Sequence, residues 1–184
     1  APTDPVYAVV QSKEGVRQLR TLRWGLVPSW SKDAKGAARL INARKESVTA
    51  KPAFRKAYAG RRCLLPADGY YEWKQEGADK QPWYLTSREP LSMAGLYEHW
   101  KTPEGDWLST CTIITTSAPD DLGEIHDRAP LLVPKEHWGV WLDRTVADPG
   151  QLLIPGTPGL LDAWPVGKAV GSVRNNGPEL IEPV

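Results

Sequence analysis

Five consecutive residues, Glu124-Ile125-His126-Asp127-Arg128, put an imidazole, two carboxylates and a guanidinium into one short stretch. An imidazole changes charge near neutrality, so a loop His among charged neighbours suits proton transfer. Glu72 lies between Tyr71 and Trp73. Partial desolvation there raises a carboxyl pKa and suits a general acid or base. Asn42 offers both a donor and an acceptor and suits orienting an amine or a carbonyl. Arg44 and Arg128 suit bidentate phosphate binding. Each residue also has a plain structural role to set against the chemical one. Glu72 could form a salt bridge to a nearby Lys or Arg, and His126 could be a structural loop residue. Asn42 could fill a sheet-edge hydrogen bond, and the arginines could sit in surface ion pairs.

Other chemistries are excluded by spacing. The three His and two Cys form no HxxxH, HxH or CxxC pattern, so no metal site is expected. There is no GxSxG, no P-loop and no GxGxxG, and Ser29 and Ser117 have no His nearby in sequence, so a serine hydrolase is unsupported. No cofactor is expected. Cys63 and Cys111 read as reduced, half-buried thiols of a cytosolic protein. No signal peptide and no apolar run of roughly 18 residues is present, so no membrane insertion is expected.

A formal net charge of +1 hides an asymmetry. Residues 1–62 hold 14 Lys/Arg against 4 Asp/Glu, and residues 63–184 hold 9 against 18. A basic half suits a phosphate backbone, unless the two halves neutralise each other internally. Nine Trp suit stacking on bases or sugars as well as core packing.

The elements that must position these groups are short. Seventeen Pro and sixteen Gly favour a strand-rich fold over a helical bundle. Strands are predicted over 6–11, 19–26, 63–66, 70–74, 82–86, 91–100, 107–116 and 163–166. A turn is predicted at Ala67-Asp68-Gly69. In 39–44 the alternation puts Ile41 and Ala43 on one side, with Leu40, Asn42 and Arg44 on the other. In 70–74 it puts Tyr70, Glu72 and Lys74 together, opposite Tyr71 and Trp73. Short helices are predicted over 52–58, 134–142 and 148–153, and 27–31 is a loop exposing Trp30. The expected fold is α+β: a single domain over 1–184 with a curled, mainly antiparallel, barrel-like sheet and a few short helices.

Four strings occur in order along the chain: Trp24-Gly25-Leu26-Val27-Pro28-Ser29-Trp30, Ile41-Asn42-Ala43-Arg44, Pro66-Ala67-Asp68-Gly69-Tyr70-Tyr71-Glu72-Trp73-Lys74 and Ile125-His126-Asp127-Arg128-Ala129-Pro130. With Val170-Gly171-Ser172-Val173-Arg174-Asn175 near the end, they resemble the SRAP (SOS response-associated peptidase) family over nearly the whole length. The resemblance implies a DNA-repair protein that binds single-stranded DNA or single-/double-strand junctions. It implies a covalent thiazolidine cross-link to abasic sites, made by an N-terminal Cys exposed when the protein removes its own initiator Met. By motif, Glu72 becomes the acid/base of sugar ring opening and imine formation. His126 assists proton transfer and reversal, and Asn42 positions the Cys. Arg44, Arg128 and Thr115 join the DNA contacts, with Trp30 stacking or wedging at a base. The implied protein is a cytoplasmic, nucleoid-associated monomer.

The family's opening Cys-Gly-Arg and helix precede the stretch aligned with Ala1-Pro2-Thr3. The expectation is that this segment is missing here, leaving a chain that binds DNA but cannot form the cross-link alone. Cys63 and Cys111 carry no free α-amine and cannot replace it. Three other readings compete: a thiol peptidase acting on other proteins, a non-catalytic Trp-rich binder of nucleic acid or carbohydrate, and an inactive paralogue.

Overall fold

Two strands open the chain, β1 (Pro5–Gln11) and β2 (Arg17–Trp24), paired antiparallel from Pro5↔Arg23 to Gln11↔Arg17. Their turn is closed by Ser12 Oγ, which accepts from the backbone N–H of Glu14 and Val16. β2 ends at Gly25, where φ is +124° and a Cβ would sit 2.8 Å from the Ala37 carbonyl oxygen. Only Gly meets both demands. The structure is a computed structural model that describes residues 1–119, 122–152 and 158–184.

Next come β3 (Asn42–Arg44), α1 (Arg55–Gly60), β4 (Arg62–Glu76), β5 (Asp79–Lys101), β6 (Trp107–Ser117), β7 (Arg128–Pro130), α2 (Trp138–Leu142) and β8 (Asp162–Pro165). The strands run in the order β3-β6-β2-β1-β4-β5-β8. β5 also pairs with β6, from Gly95↔Ile113 to Lys101↔Trp107. That pairing returns the path to β6 and makes a ring of strands. It is not a true barrel, because β3 and β8 hang off the path. β2–β6 and β3–β6 are parallel, and the other registered pairs are antiparallel. The fold is mixed α+β, strand-rich with few helices, as expected.

The chain divides into two compact units, one of residues 1–66, 92–116 and 130–154, the other of 67–91, 117–129 and 155–184. In the first, Leu26, Ala43, Phe54, Leu64, Leu96, Ile114, Leu131 and Trp141 form the core. Trp141 is fully buried and its indole N–H donates to the Cys63 carbonyl at 2.9 Å. Arg62 is buried too. Its guanidinium donates to the carbonyls of Tyr58, Trp141, Asp143 and Val146, tying the end of α1 to the segment after α2. In the second unit, Leu85, Leu122 and Ile125 form a smaller core with Tyr70, Trp83 and Ala163 against it.

Several predicted elements shift. Ala67-Asp68-Gly69 is not a turn but lies inside β4. A Cβ on Gly69 would stand 2.5 Å from the Leu85 carbonyl oxygen and the Tyr84 ring, so this Gly permits a close crossing. The predicted strands 82–86 and 91–100 are one strand, β5. Pro82 and Pro90 remove donors without ending it, and the Pro82 carbonyl still accepts from Val166 N–H at 3.0 Å. The helix placed at 52–58 begins later, at Arg55, after turns over 52–54. The segment 134–142 opens with a 3-10 turn at Lys135–His137 before α2. In 148–153 the structure has a 3-10 turn, Gly150–Leu152, and Leu153 lies outside the described residues. Cys63 and Cys111 are fully buried rather than half-buried, each within the strand ring, and both thiols are free.

Candidate functional site

Glu72 sits midway along β4, in the second unit. Its alternation is as predicted. Tyr71 turns to Tyr84, with ring centroids 5.3 Å apart, and Tyr70 packs with Leu85, Leu122 and Ile125. His126 follows a turn in which Ile125 and His126 donate to the Leu122 carbonyl. Buried Leu122 and Ile125 hold that turn on Leu85, and Ala118 N–H closes it on the Asp127 carbonyl at 3.0 Å. Apolar anchors thus fix a polar loop, as a catalytic loop needs.

This brings Glu72 and His126 together, with His126 Nδ1 3.9 Å from Glu72 Oε2 and 3.5 Å from Asp127 Oδ1. The Glu72 side chain is only 23% exposed and that of His126 42%, so a sheltered carboxyl lies beside an imidazole open to solvent. Burial pushes the Glu72 carboxyl above its ordinary value, and Asp127 adds to the rise. The His126 charge and the Trp73 backbone N–H oppose it. The same neighbourhood pushes the Tyr70 phenol up, chiefly by burial and secondly by Glu72.

His126 Nδ1 is 3.1 Å from both the backbone N–H and the carbonyl of Arg128. A bare Nδ1 accepts from that N–H, and a protonated Nδ1 donates to that carbonyl. Either role of Nδ1 thus has an Arg128 backbone partner in reach. Backbone partners leave no mark in the residue string, so this feature was not readable from sequence.

Arg128 lies with His126 in the second unit, and Asn42, Arg44, Thr115 and Trp30 lie in the first. β3 pairs with β6 so that Asn42 faces Ile113 and Arg44 faces Thr115. Ala43 is fully buried, which turns Asn42 and Arg44 outward, as the alternation predicted. Thr115 is buried, and its carbonyl accepts from Lys45 N–H at 2.9 Å. Trp30 is 63% exposed at a cavity of about 450 Å³ lined by Leu26, Val27, Pro28, Leu40 and Ala53. Sequence reading named Trp30 but not this cavity. Among the described residues, no group of three or more His, Cys, Asp or Glu is placed to hold a metal ion. No described helix is long and apolar enough to cross a membrane.

The family model of the SOS response associated peptidases (SRAP) matches residues 1–173. The chain belongs to this family. Among its relatives, the abasic site processing protein YoqW of Bacillus subtilis (strain 168) is 42% identical over 188 residues, spanning 99% of this chain and 84% of that protein. The abasic site processing protein YedK of Escherichia coli (strain K12) is 34% identical over 169 residues, spanning 88% and 73%. The crystal structure of a Bacteroides thetaiotaomicron protein superposes with a TM-score of 0.89 at 27% identity, covering 99% of this SRAP chain and 82% of that one.

Proposed function

We propose that this SRAP chain processes abasic sites in DNA, with Glu72 and His126 as its acid/base pair. The observation that carries the reading is the sheltered Glu72 carboxyl, held above its ordinary pKa, 3.9 Å from an exposed imidazole. A carboxyl whose proton affinity is raised is a better proton carrier for acid/base work than an ordinary one. The names of the relatives, abasic site processing proteins, support the substrate. The family's name supports a DNA-damage setting and peptide-bond chemistry.

In this reading Glu72 protonates the ring oxygen of the abasic deoxyribose as the ring opens to an aldehyde. The α-amine of an N-terminal Cys attacks that carbon. An α-amine has a pKa of about 7.7–8.0, so much of it is unprotonated and nucleophilic near neutrality. Water leaves to give the imine, and the thiol of the same Cys adds to the imine carbon to close a thiazolidine. Having both nucleophiles on one residue makes ring closure intramolecular. His126 carries protons to and from the sugar oxygen, forward and in reversal. Asn42 positions the Cys. Arg44, Arg128 and Thr115 contact the strand and Trp30 stacks at a base. The partner is single-stranded DNA or a junction, engaged by a monomer, and the same Cys removes the initiator Met.

Neither internal Cys fits the nucleophile's place. Both are buried, which pushes the Cys63 thiol well up and the Cys111 thiol to about 12, and neither bears an α-amine.

The test uses the natural gene product with its native N-terminus and a single-stranded oligonucleotide bearing one abasic site. A band shifted on a denaturing gel, lost on Cys→Ala at the mature N-terminus, is the expected result. A cross-link indifferent to that Cys, or none from a protein verified to carry it, overturns the reading.

A further inference from the structure

On the paired part of β5 and β6 the odd-numbered residues share one face. The register sets Tyr97 opposite Cys111, His99 opposite Ser109 and Lys101 opposite Trp107, and alternate positions of a strand project to the same side. The contacts agree. The Tyr97 and His99 rings meet edge-on with centroids 5.5 Å apart, and His99 Nδ1 lies 2.8 Å from Ser109 Oγ. Trp100 and Leu108 point the other way, into a small core with Val27 and Ala37. At the hairpin end Trp107 is 69% exposed.

Three guanidiniums act electrostatically on His99 of this face. Burial holds the His99 imidazole below its ordinary value, and Arg61, Arg144 and Arg20 lower it further while Glu98 opposes them. Arg144 and Arg61 act on the Tyr97 phenol as well. Arg61 is tied to Glu98 at 2.8 Å, and Arg144 also acts on Glu14. Arg20 donates at 2.6 Å to Gln18 Oε1, an uncharged acceptor. All of these residues belong to the first unit, and none serves the acid/base pair.

An exposed indole on the same strand face as a hydroxyl and an imidazole on which guanidiniums act electrostatically matches a strand of nucleotides. A base stacks on the indole, and its flanking phosphates take the cationic donors. We propose that this face of β5 and β6 is a second contact for single-stranded nucleic acid, with a base on Trp107 and phosphates on Arg20, Arg144 and the His99–Ser109 pair. The contact needs no abasic site and does not depend on the cross-linking chemistry.

Anisotropy of a labelled, undamaged oligothymidylate of about ten nucleotides, titrated with the full chain over a salt series, tests it. Trp107→Ala is expected to weaken binding about tenfold, with Trp107→Phe close to wild type. Arg20→Ala with Arg144→Ala is expected to lower the slope of log K against log salt by about 1.4, at roughly 0.7 per lost phosphate contact. Trp107 and Arg20 are exposed and Arg144 is half-buried, so circular dichroism and Tm are measured for each variant and only variants that match wild type are compared. Unchanged affinity and slope in folded variants overturn the proposal. So does displacement by thymidine monophosphate at equal nucleotide concentration, which would make the site a pocket for free nucleotide. Because the DNA is undamaged, the result stands whether or not abasic cross-linking is observed.

Discussion

Glu72 shows how one side chain can be read twice. Flanking aromatics made its desolvation legible in sequence, and the structure adds the partners that set its proton affinity. Glu72→Gln should slow cross-linking by about 10²–10⁴-fold in single-turnover gels while leaving DNA affinity near wild type. The same change should affect stability. Folding raises the Glu72 pKa, so above the ordinary carboxylate value the folded state holds more protons than the unfolded. Stability therefore falls as pH rises through the window between the ordinary and raised values. Glu72→Gln cannot ionise and should melt above wild type at pH 7 but level with it at about pH 4. Equal Tm values at both would show that the carboxyl is not strained. His126→Ala should affect reversal of the cross-link more than its formation. The test is release of protein from a purified cross-link.

At the scale of elements, crossings that sequence cannot see decide the fold. Gly69 was read as a turn because Asp-Gly commonly makes one. In the structure it lets β4 pass the Leu85 carbonyl at a distance no Cβ permits. Gly69→Ala should cost about 1–3 kcal/mol, because a backbone atom cannot rotate out of the way. For a chain of this length each kcal/mol is about 2–4 °C in Tm. Arg62 makes the complementary case. Its guanidinium satisfies carbonyls at the end of α1 and beyond α2 with no carboxylate bonded to it among the described residues. Arg62→Ala leaves those acceptors buried and should cost about 3 kcal/mol or more in urea unfolding. Arg62→Lys should recover only part, since an ammonium cannot reproduce the planar fork.

Across the whole molecule the charge asymmetry follows the structural division. The first unit holds 17 Lys/Arg against 10 Asp/Glu, and the second 6 against 12. Each unit thus keeps its own sign, which favours phosphate contact on the first. DNA affinity should fall steeply with salt despite a net charge of +1. Arg44→Ala should reduce the slope by about 0.7, and unchanged slopes would remove Arg44 from the DNA contacts.

What the sequence determined by itself was local or motif-borne. Period-two alternation exposed Asn42 and Arg44 about a buried Ala43 and separated Glu72 from Tyr71, because strand geometry depends only on neighbours in the chain. Four ordered strings were enough to identify the family. Tertiary structure alone decided the rest. It ran β5 through two prolines, used Gly69 for a crossing and put two Arg128 backbone groups within hydrogen-bond reach of His126 Nδ1. It also brought Arg20, Arg61 and Arg144 within electrostatic reach of His99. Those outcomes depend on atoms brought together from distant parts of the chain, and on backbone groups that every residue shares.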